Sequence, residues 1–243
     1  MKNSRSLDTL FAQANGAIDP QNGGTVPPLQ PSTTFVRDEN YELTSPDHSY
    51  ARDQNDLLRL GEEMLAQAEH AQGGILLPSG MAAAATIIRS VPNAGRIVLQ
   101  SGIYWGVTKF VRDFCVRRNV DLVEVDCSDL AVTEQAISGK NTNLIWIETP
   151  SNPYLKSVDI AGCASLAKSV GASLVVDSTA ATPVLSQPLD HGADIVMHSA
   201  TKAINGHSDV LAGFLGFSDT TSELWETVRA DRATAGAMLG SFE

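Results

Sequence analysis

Lysine is scarce in this chain, six in 243 residues, and Lys202 alone follows an apolar run directly, after Ile195-Val196-Met197 and within Ser199-Ala200-Thr201-Lys202. An amine held against a low-dielectric core loses its proton more readily and becomes a usable nucleophile. Asp177 closes a second run, Leu174-Val175-Val176, and would carry a carboxylate out of a buried strand. By itself such an Asp caps a turn as readily as it binds a ligand. Ser79-Gly80-Met81 follows a third run, Ile75-Leu76-Leu77. A Gly between strand and helix exposes backbone N–H groups at the positive helix end, which suits a phosphate and equally serves as a plain cap. Tyr104 and residues 148–152 follow two further runs. A phosphate cup, a buried Asp and a nucleophilic Lys on one rim are what pyridoxal 5'-phosphate (PLP) chemistry needs. The Lys forms a Schiff base, and the Asp keeps the pyridine nitrogen protonated so that the ring acts as an electron sink. Tyr104 can stack on the ring face.

The elements that would position these residues follow from the apolar pattern. Short runs at 75–77, 96–99, 120–125, 144–147, 172–176 and 195–197 alternate with helical candidates over 80–91, 106–118, 129–138, 159–170 and 220–239. Strands apolar on both faces and separated by helices predict an α/β fold, a parallel sheet covered on both sides. In such sheets ligands bind outside the carboxyl ends of the strands, so the five exits named above form one rim. Leu57, Leu60, Met64 and Ala68 fall on one helical face and predict a helix to about His70. Before it, Pro20, Pro27, Pro28, Pro31, Pro46 and Gly23-Gly24 mark an extended arm or lid.

Composition excludes several functions. Against 28 Asp and Glu the chain has 17 Lys and Arg, a net charge of -11. That is the wrong sign for a sequence-independent grip on nucleic acid or an anionic membrane. Cys115, Cys127 and Cys163 are far apart and lack a C-x-x-C pair, so they are expected to be reduced, buried and free of metal. No window approaches a membrane span, and Asp8 interrupts what would be a signal peptide, so the cytoplasm is the expected location. Neither G-x-G-x-x-G nor G-x-x-x-x-G-K-[ST] occurs, which disfavours a plain Rossmann-like domain for another phosphate ligand. His198 and His207 are expected to be structural hydrogen-bonders, and Arg229 and Arg232 solvated charges on the last helix.

Three segments carry a resemblance: Glu148-Thr-Pro-Ser-Asn-Pro-Tyr-Leu-Lys-Ser-Val-Asp-Ile160, Val176-Asp-Ser-Thr-Ala-Ala-Thr-Pro183, and Gly192 through Lys202 continuing to Gly206-His-Ser-Asp-Val210. In type and order they closely resemble the Cys/Met-metabolism family of PLP enzymes, the transsulfuration group of cystathionine γ-synthases, γ-lyases and β-lyases. The resemblance runs from about Pro27 to the last residue. It implies the large domain of the fold type I (aspartate aminotransferase-like) PLP enzymes. It also implies that Lys202 is the Schiff-base lysine and general base, that Asp177 partners the pyridine nitrogen, and that Tyr104 is the stacking, catalytic aromatic. Ser79, Gly80 and Met81 with Ser199 and Thr201 resemble the phosphate cup, and Asn152 matches the residue near the cofactor's phenolic oxygen. Tyr50-Ala51-Arg52 resembles an arm motif that reaches the phosphate of a neighbouring subunit, which implies a homodimer or homotetramer with its site at the subunit interface.

Carried onto this chain, the family's plan gives residues 1–55 as the arm and 56–243 as the PLP-binding domain. The family's small domain, which supplies an Arg for the substrate carboxylate, would lie beyond Glu243. Asn55-Asp56-Leu57 and Tyr104-Trp105-Gly106 depart from the family's usual Asn-Pro-Thr and Tyr-Gly-Gly; Asp56 would still cap a helix, and Trp105 would narrow the substrate entrance or pack. The implied activity is C–S bond making or breaking on cystathionine-type amino acids, γ-synthase-like, with cystathionine γ- or β-lyase and methionine γ-lyase as alternatives. A non-catalytic PLP-binding fragment is the alternative of another class.

Overall fold

The structure is a computed structural model that describes residues 6–13, 16–19, 21–45 and 48–243. Pro20, Pro46 and the first five residues of the expected arm lie outside them. Seven strands form one sheet: β1 (Gly73–Leu77), β2 (Arg96–Gln100), β3 (Asp121–Val125), β4 (Leu144–Glu148), β5 (Ser173–Asp177), β6 (Ile195–His198) and β7 (Gly213–Phe217). Their order is β1-β7-β6-β5-β4-β2-β3. Six run in one direction, and β7 lies antiparallel to both of its neighbours.

Among the described residues the α-helices are α1 (Leu7–Ala12), α2 (Asp56–Ala68), α3 (Gly80–Ser90), α4 (Trp105–Arg118), α5 (Leu130–Ile137), α6 (Ile160–Val170), α7 (Thr182–Leu185) and α8 (Glu223–Ala235), with a 3-10 turn at Pro188–His191. Side chains alternate across each strand, and the two faces have separate cores. Trp146, Val175, Ile195 and Leu215 pack with Ile87, Val111 and Val228 from α3, α4 and α8. Ile145, Ile147, Leu174 and Val176 pack with Ile137, Cys163 and Ala167 from α5 and α6. On that second face, Leu58 and Leu65 of α2 cover Leu76 and Phe214. Each Ile or Leu so enclosed contributes about 1.5–3 kcal/mol, and truncating Ile145 to Ala would cost about 2–5 kcal/mol.

Helix starts are set by capping side chains. Asn55, not the expected Asp56, caps α2, its carboxamide oxygen accepting from Leu57 N–H at 3.0 Å. Asp56 instead occupies the first turn, where its charge suits the helix dipole. Ser79, Asp129, Asp159 and Ser222 cap α3, α5, α6 and α8. The last helix is shorter than the expected 220–239 span.

Strand β7 was not expected from the apolar pattern, because Gly213 and Gly216 dilute its run. Both glycines are required by close approach: a Cβ on Gly216 would lie 2.9 Å from Val196 Cγ1, and one on Gly213 would strike the carbonyl of Ser79. Arg232 also departs from expectation. It is only 9% exposed and pairs with Glu62 at 2.6 Å, pinning α8 to α2.

Ahead of α2, the regular structure of the described residues is α1, a 3-10 position at Gly16 and two isolated antiparallel bridges, Thr34↔Tyr50 and Arg37↔Leu43. All three cysteines are free and buried, as expected. Among the described residues no helix is long and apolar enough to cross a membrane, and no cluster of side chains could hold a metal ion.

Candidate active site

Because six strands run one way, their carboxyl ends share an edge, and reversed β7 brings its amino end to the same edge, with Leu77 opposite Gly213. Ser79 caps α3 by accepting from Ala82 N–H at 3.0 Å. Gly80 and Met81 begin that 11-residue helix, where backbone N–H groups have no intrahelical acceptor. Gly80 lies so close to the β6 exit that an added Cβ would sit 2.6 Å from Ser199 Cβ. The exits of β1 and β6 therefore form one cup. The exits of β5 and β6 are tied as well: Ser199 N–H donates to Thr179 Oγ1 at 2.8 Å, and Thr179 N–H donates to Asp177 Oδ1 at 3.0 Å. Tyr104 packs beside the cup, since a Cβ on Gly106 would lie 2.6 Å from the Tyr104 ring and 3.3 Å from Met81 Sδ.

Two carboxylates lie side by side at the centre of this edge. Asp177 is 6% exposed and is paired in register with Glu148, which is 4% exposed. Burial raises Asp177 above its ordinary value, against the pull of the Thr179 hydrogen bonds and of His198. Burial and then the charge of Asp177 push Glu148 up to about 7, against two backbone hydrogen bonds. Those bonds come from Tyr104 N–H at 2.9 Å and Asn152 N–H at 2.5 Å. The sequence marked Glu148 as a strand exit, but its contact with Asp177 depends on β4 lying next to β5.

Lys202 stands in the loop after β6, its N–H donating to Ser199 O at 3.0 Å and its carbonyl accepting from Gly206 N–H at 2.8 Å. Its side chain is exposed and lines a cavity of about 550 Å³ with Thr201, Gly206 and Asp209. The low-dielectric setting expected for this amine is therefore absent within the chain. Thr201 is committed to β7: its hydroxyl donates to Ala212 O and accepts from Ala212 N–H, both at 3.0 Å. The Asn152 side chain is exposed, although its backbone is held at the rim.

Tyr50 and Arg52 are not brought to this edge. They stack on each other, with the guanidinium 5.1 Å from the ring centroid. They line a separate cavity of about 380 Å³ with Asn55, Leu58 and Met238. Trp105 is 69% exposed, its ring 5.7 Å from that of Tyr104. His198 is a buried partner of Glu69 at 2.5 Å, and His207 bonds Asn205 O at 2.8 Å, both structural roles as expected.

This donor set suits one kind of ligand. A helix end with serine hydroxyls accommodates a phosphate. Hydrogen bonds and the charge of His198 offset the desolvation of the two buried acids only in part, since both stay raised, and a cationic, N–H-bearing ring would relieve them further. A phosphorylated pyridine fits both features.

Comparison with known proteins bears on the same point. Residues 8–243 match the family model described as Cys/Met metabolism PLP-dependent enzyme. The cystathionine gamma-lyase of Dictyostelium discoideum is 34% identical over 241 residues, covering 99% of this chain and 61% of that protein. The cystathionine gamma-synthase of Haemophilus influenzae is 36% identical over 245 residues, covering 100% of this chain and 65% of that protein. The crystal structure of metB from Corynebacterium glutamicum superposes with a TM-score of 0.92 at 34% identity, covering 99% of this chain and 62% of that one. The chain thus spans less than two thirds of the length of these relatives. It belongs to the Cys/Met metabolism PLP-dependent enzyme family.

Proposed function

We propose that this chain holds PLP at the rim and takes part in making or breaking a C–S bond of a cystathionine-type amino acid, as a cystathionine γ-synthase does. The observation that carries the reading is the pair of buried acids, Glu148 and Asp177, beside the Ser79–Ser199 cup. The cofactor, when bound, supplies an electron sink that stabilises negative charge at the substrate's α-carbon. Asp177 would hold the ring nitrogen's proton. Ser79, Gly80, Met81 and Ser199 would take the phosphate, with Thr201 holding their loop to β7. Tyr104 would cover the ring face, and the Asn152 carboxamide would face the phenolic oxygen. Lys202 Nζ would anchor the cofactor and then take up the substrate's α-proton as general base.

In this reading residues 1–55 form an arm and 56–243 the cofactor-binding domain. Tyr50 and Arg52, distant from their own chain's cup, would complete the site of a second copy in a dimer or tetramer. The amine of Lys202 would gain its low-dielectric setting only there, with cofactor and partner in place. The free cysteines accord with the cytoplasm.

Adding PLP should produce a visible absorption band in the wild type and none in Lys202→Ala. A wild type without the band refutes the cofactor role. Succinyl- or acetyl-homoserine with cysteine, assayed against cystathionine alone, separates synthase from lyase. A band without any product assigns the chain to cofactor binding alone.

A further inference from the structure

We propose that Glu148 is a positioning residue, a two-pronged acceptor that locks the Tyr104 loop and the Asn152 loop together above Asp177. The inference rests on the PLP reading, which gives the Tyr104 ring and the Asn152 carboxamide their tasks, and goes beyond it by naming what aligns them. The last residue of β4 is Glu148, whose backbone N–H is fixed by Gln100 Oε1 at 2.9 Å. Its two carboxylate oxygens go to different loops: Oε2 accepts from Tyr104 N–H at 2.9 Å, and Oε1 accepts from Asn152 N–H at 2.5 Å. Tyr104 is the residue before α4 and makes no side-chain cap bond, so the carboxylate takes the place of a cap there. Asn152 lies within the turn after β4, where Leu155 N–H donates to Ser151 O at 2.6 Å.

Only a carboxylate offers an acceptor on each prong. A Gln offers one oxygen and turns an NH₂ toward the other N–H, donor against donor. An acid at this place is costly, because it faces Asp177 across the β4–β5 ladder in a buried setting. A neutral side chain would be easier to bury, so the two loop contacts are the return on that cost.

Amide hydrogen exchange on the protein without cofactor reads the lock directly. In Glu148→Gln, the amide of Tyr104 or of Asn152 should exchange about tenfold faster, while Ile145 and Ile147 in β4 keep their wild-type rates. PLP affinity should fall about tenfold, with the Lys202-dependent band still forming at saturation. Because Glu148 acts through Tyr104, the loss in the double variant with Tyr104→Ala should be less than the product of the single losses. Should Glu148→Gln fail to fold, Glu148→Asp, which keeps the charge but shortens the reach, takes its place with the same expectations. Unchanged exchange at both amides overturns the inference, and so does full multiplicativity with Tyr104→Ala. A wild type that forms no band with PLP sinks the cofactor reading instead, and the exchange rates still decide whether the lock exists.

Discussion

Two regions of the molecule bury carboxylates, and they treat them differently. Along α2, each acid has its own base: Glu62 meets Arg232 of α8 at 2.6 Å, and Glu69, just past the helix end, meets His198 of β6 at 2.5 Å. At the rim, Glu148 and Asp177 face each other and are held by N–H and hydroxyl groups, with no ion pair among the described residues, although the charge of His198 favours the ionised Asp177. Burial raises Glu62 even with a guanidinium beside it, while Glu148, beside another acid, is pushed up to about 7. The pairs along α2 use their charges to hold α2 against α8 and β6, whereas the acids at the rim carry an electrostatic cost that their hydrogen bonds and the charge of His198 offset only in part. Perturbed acids of the second kind mark functional sites.

The contrast can be broken by mutation. Arg232→Ala should cost about 3–5 kcal/mol in urea unfolding at pH 7, because Glu62 is left buried without its partner. The loss should shrink in acid, where Glu62 is protonated. Comparable stability in the variant would erase the distinction.

The rim should show a pH dependence of its own. Glu148 has a folded value raised from 4.5 to about 7, so the folded state binds that proton more tightly than the unfolded chain does. Stability should therefore fall as pH rises from 4.5 through 7, by about 3 kcal/mol from this group, and change no further above it. Glu148→Gln should flatten that part of the urea midpoint against pH.

A smaller effect of opposite sign is expected from Asp177→Asn. The neutral amide keeps an acceptor for Thr179 N–H and removes a buried charge, so the cofactor-free protein should gain about 1–2 kcal/mol. The same change should weaken PLP binding. A destabilised variant with normal PLP affinity would show that Asp177 serves the fold.

The smallest pair compares two helix caps. Ser222→Ala at α8 and Ser79→Ala at α3 should each cost about 1 kcal/mol. Only Ser79→Ala should also reduce PLP affinity, in an absorbance titration.

Much of this was legible in the chain itself. Six of the seven strands lay within a few residues of where the apolar runs put them, because buried parallel strands are apolar on both faces. Asp177, Ser79 and Gly80 could be placed at strand exits, since exit position needs only the order of elements. What escaped was whatever depended on which strand lies beside which. The proximity of Glu148 to Asp177 requires β4 and β5 to be neighbours, and β7 hid behind two glycines kept small by contacts distant in sequence. Arg232 looked solvated because α8 is mostly polar, and its partner Glu62 is 170 residues away. Lys202 was placed by type and position after β6, but its exposure was not legible, because the apolar run before it says nothing of what covers the loop that follows.

The reversed strand also has a consequence for timing during synthesis. In the order β1-β7-β6, the first strand made is joined to the rest through the last. Until the ribosome has released residue 217, β1 and β6 each present a bare edge, and pairings so distant in sequence form slowly. Gly80 and Ser199 come together only once β7 lies between their strands. Capture of the cofactor at the cup would thus report that the sheet has been sewn shut, and a nascent chain lacking β7 would have no cup to offer.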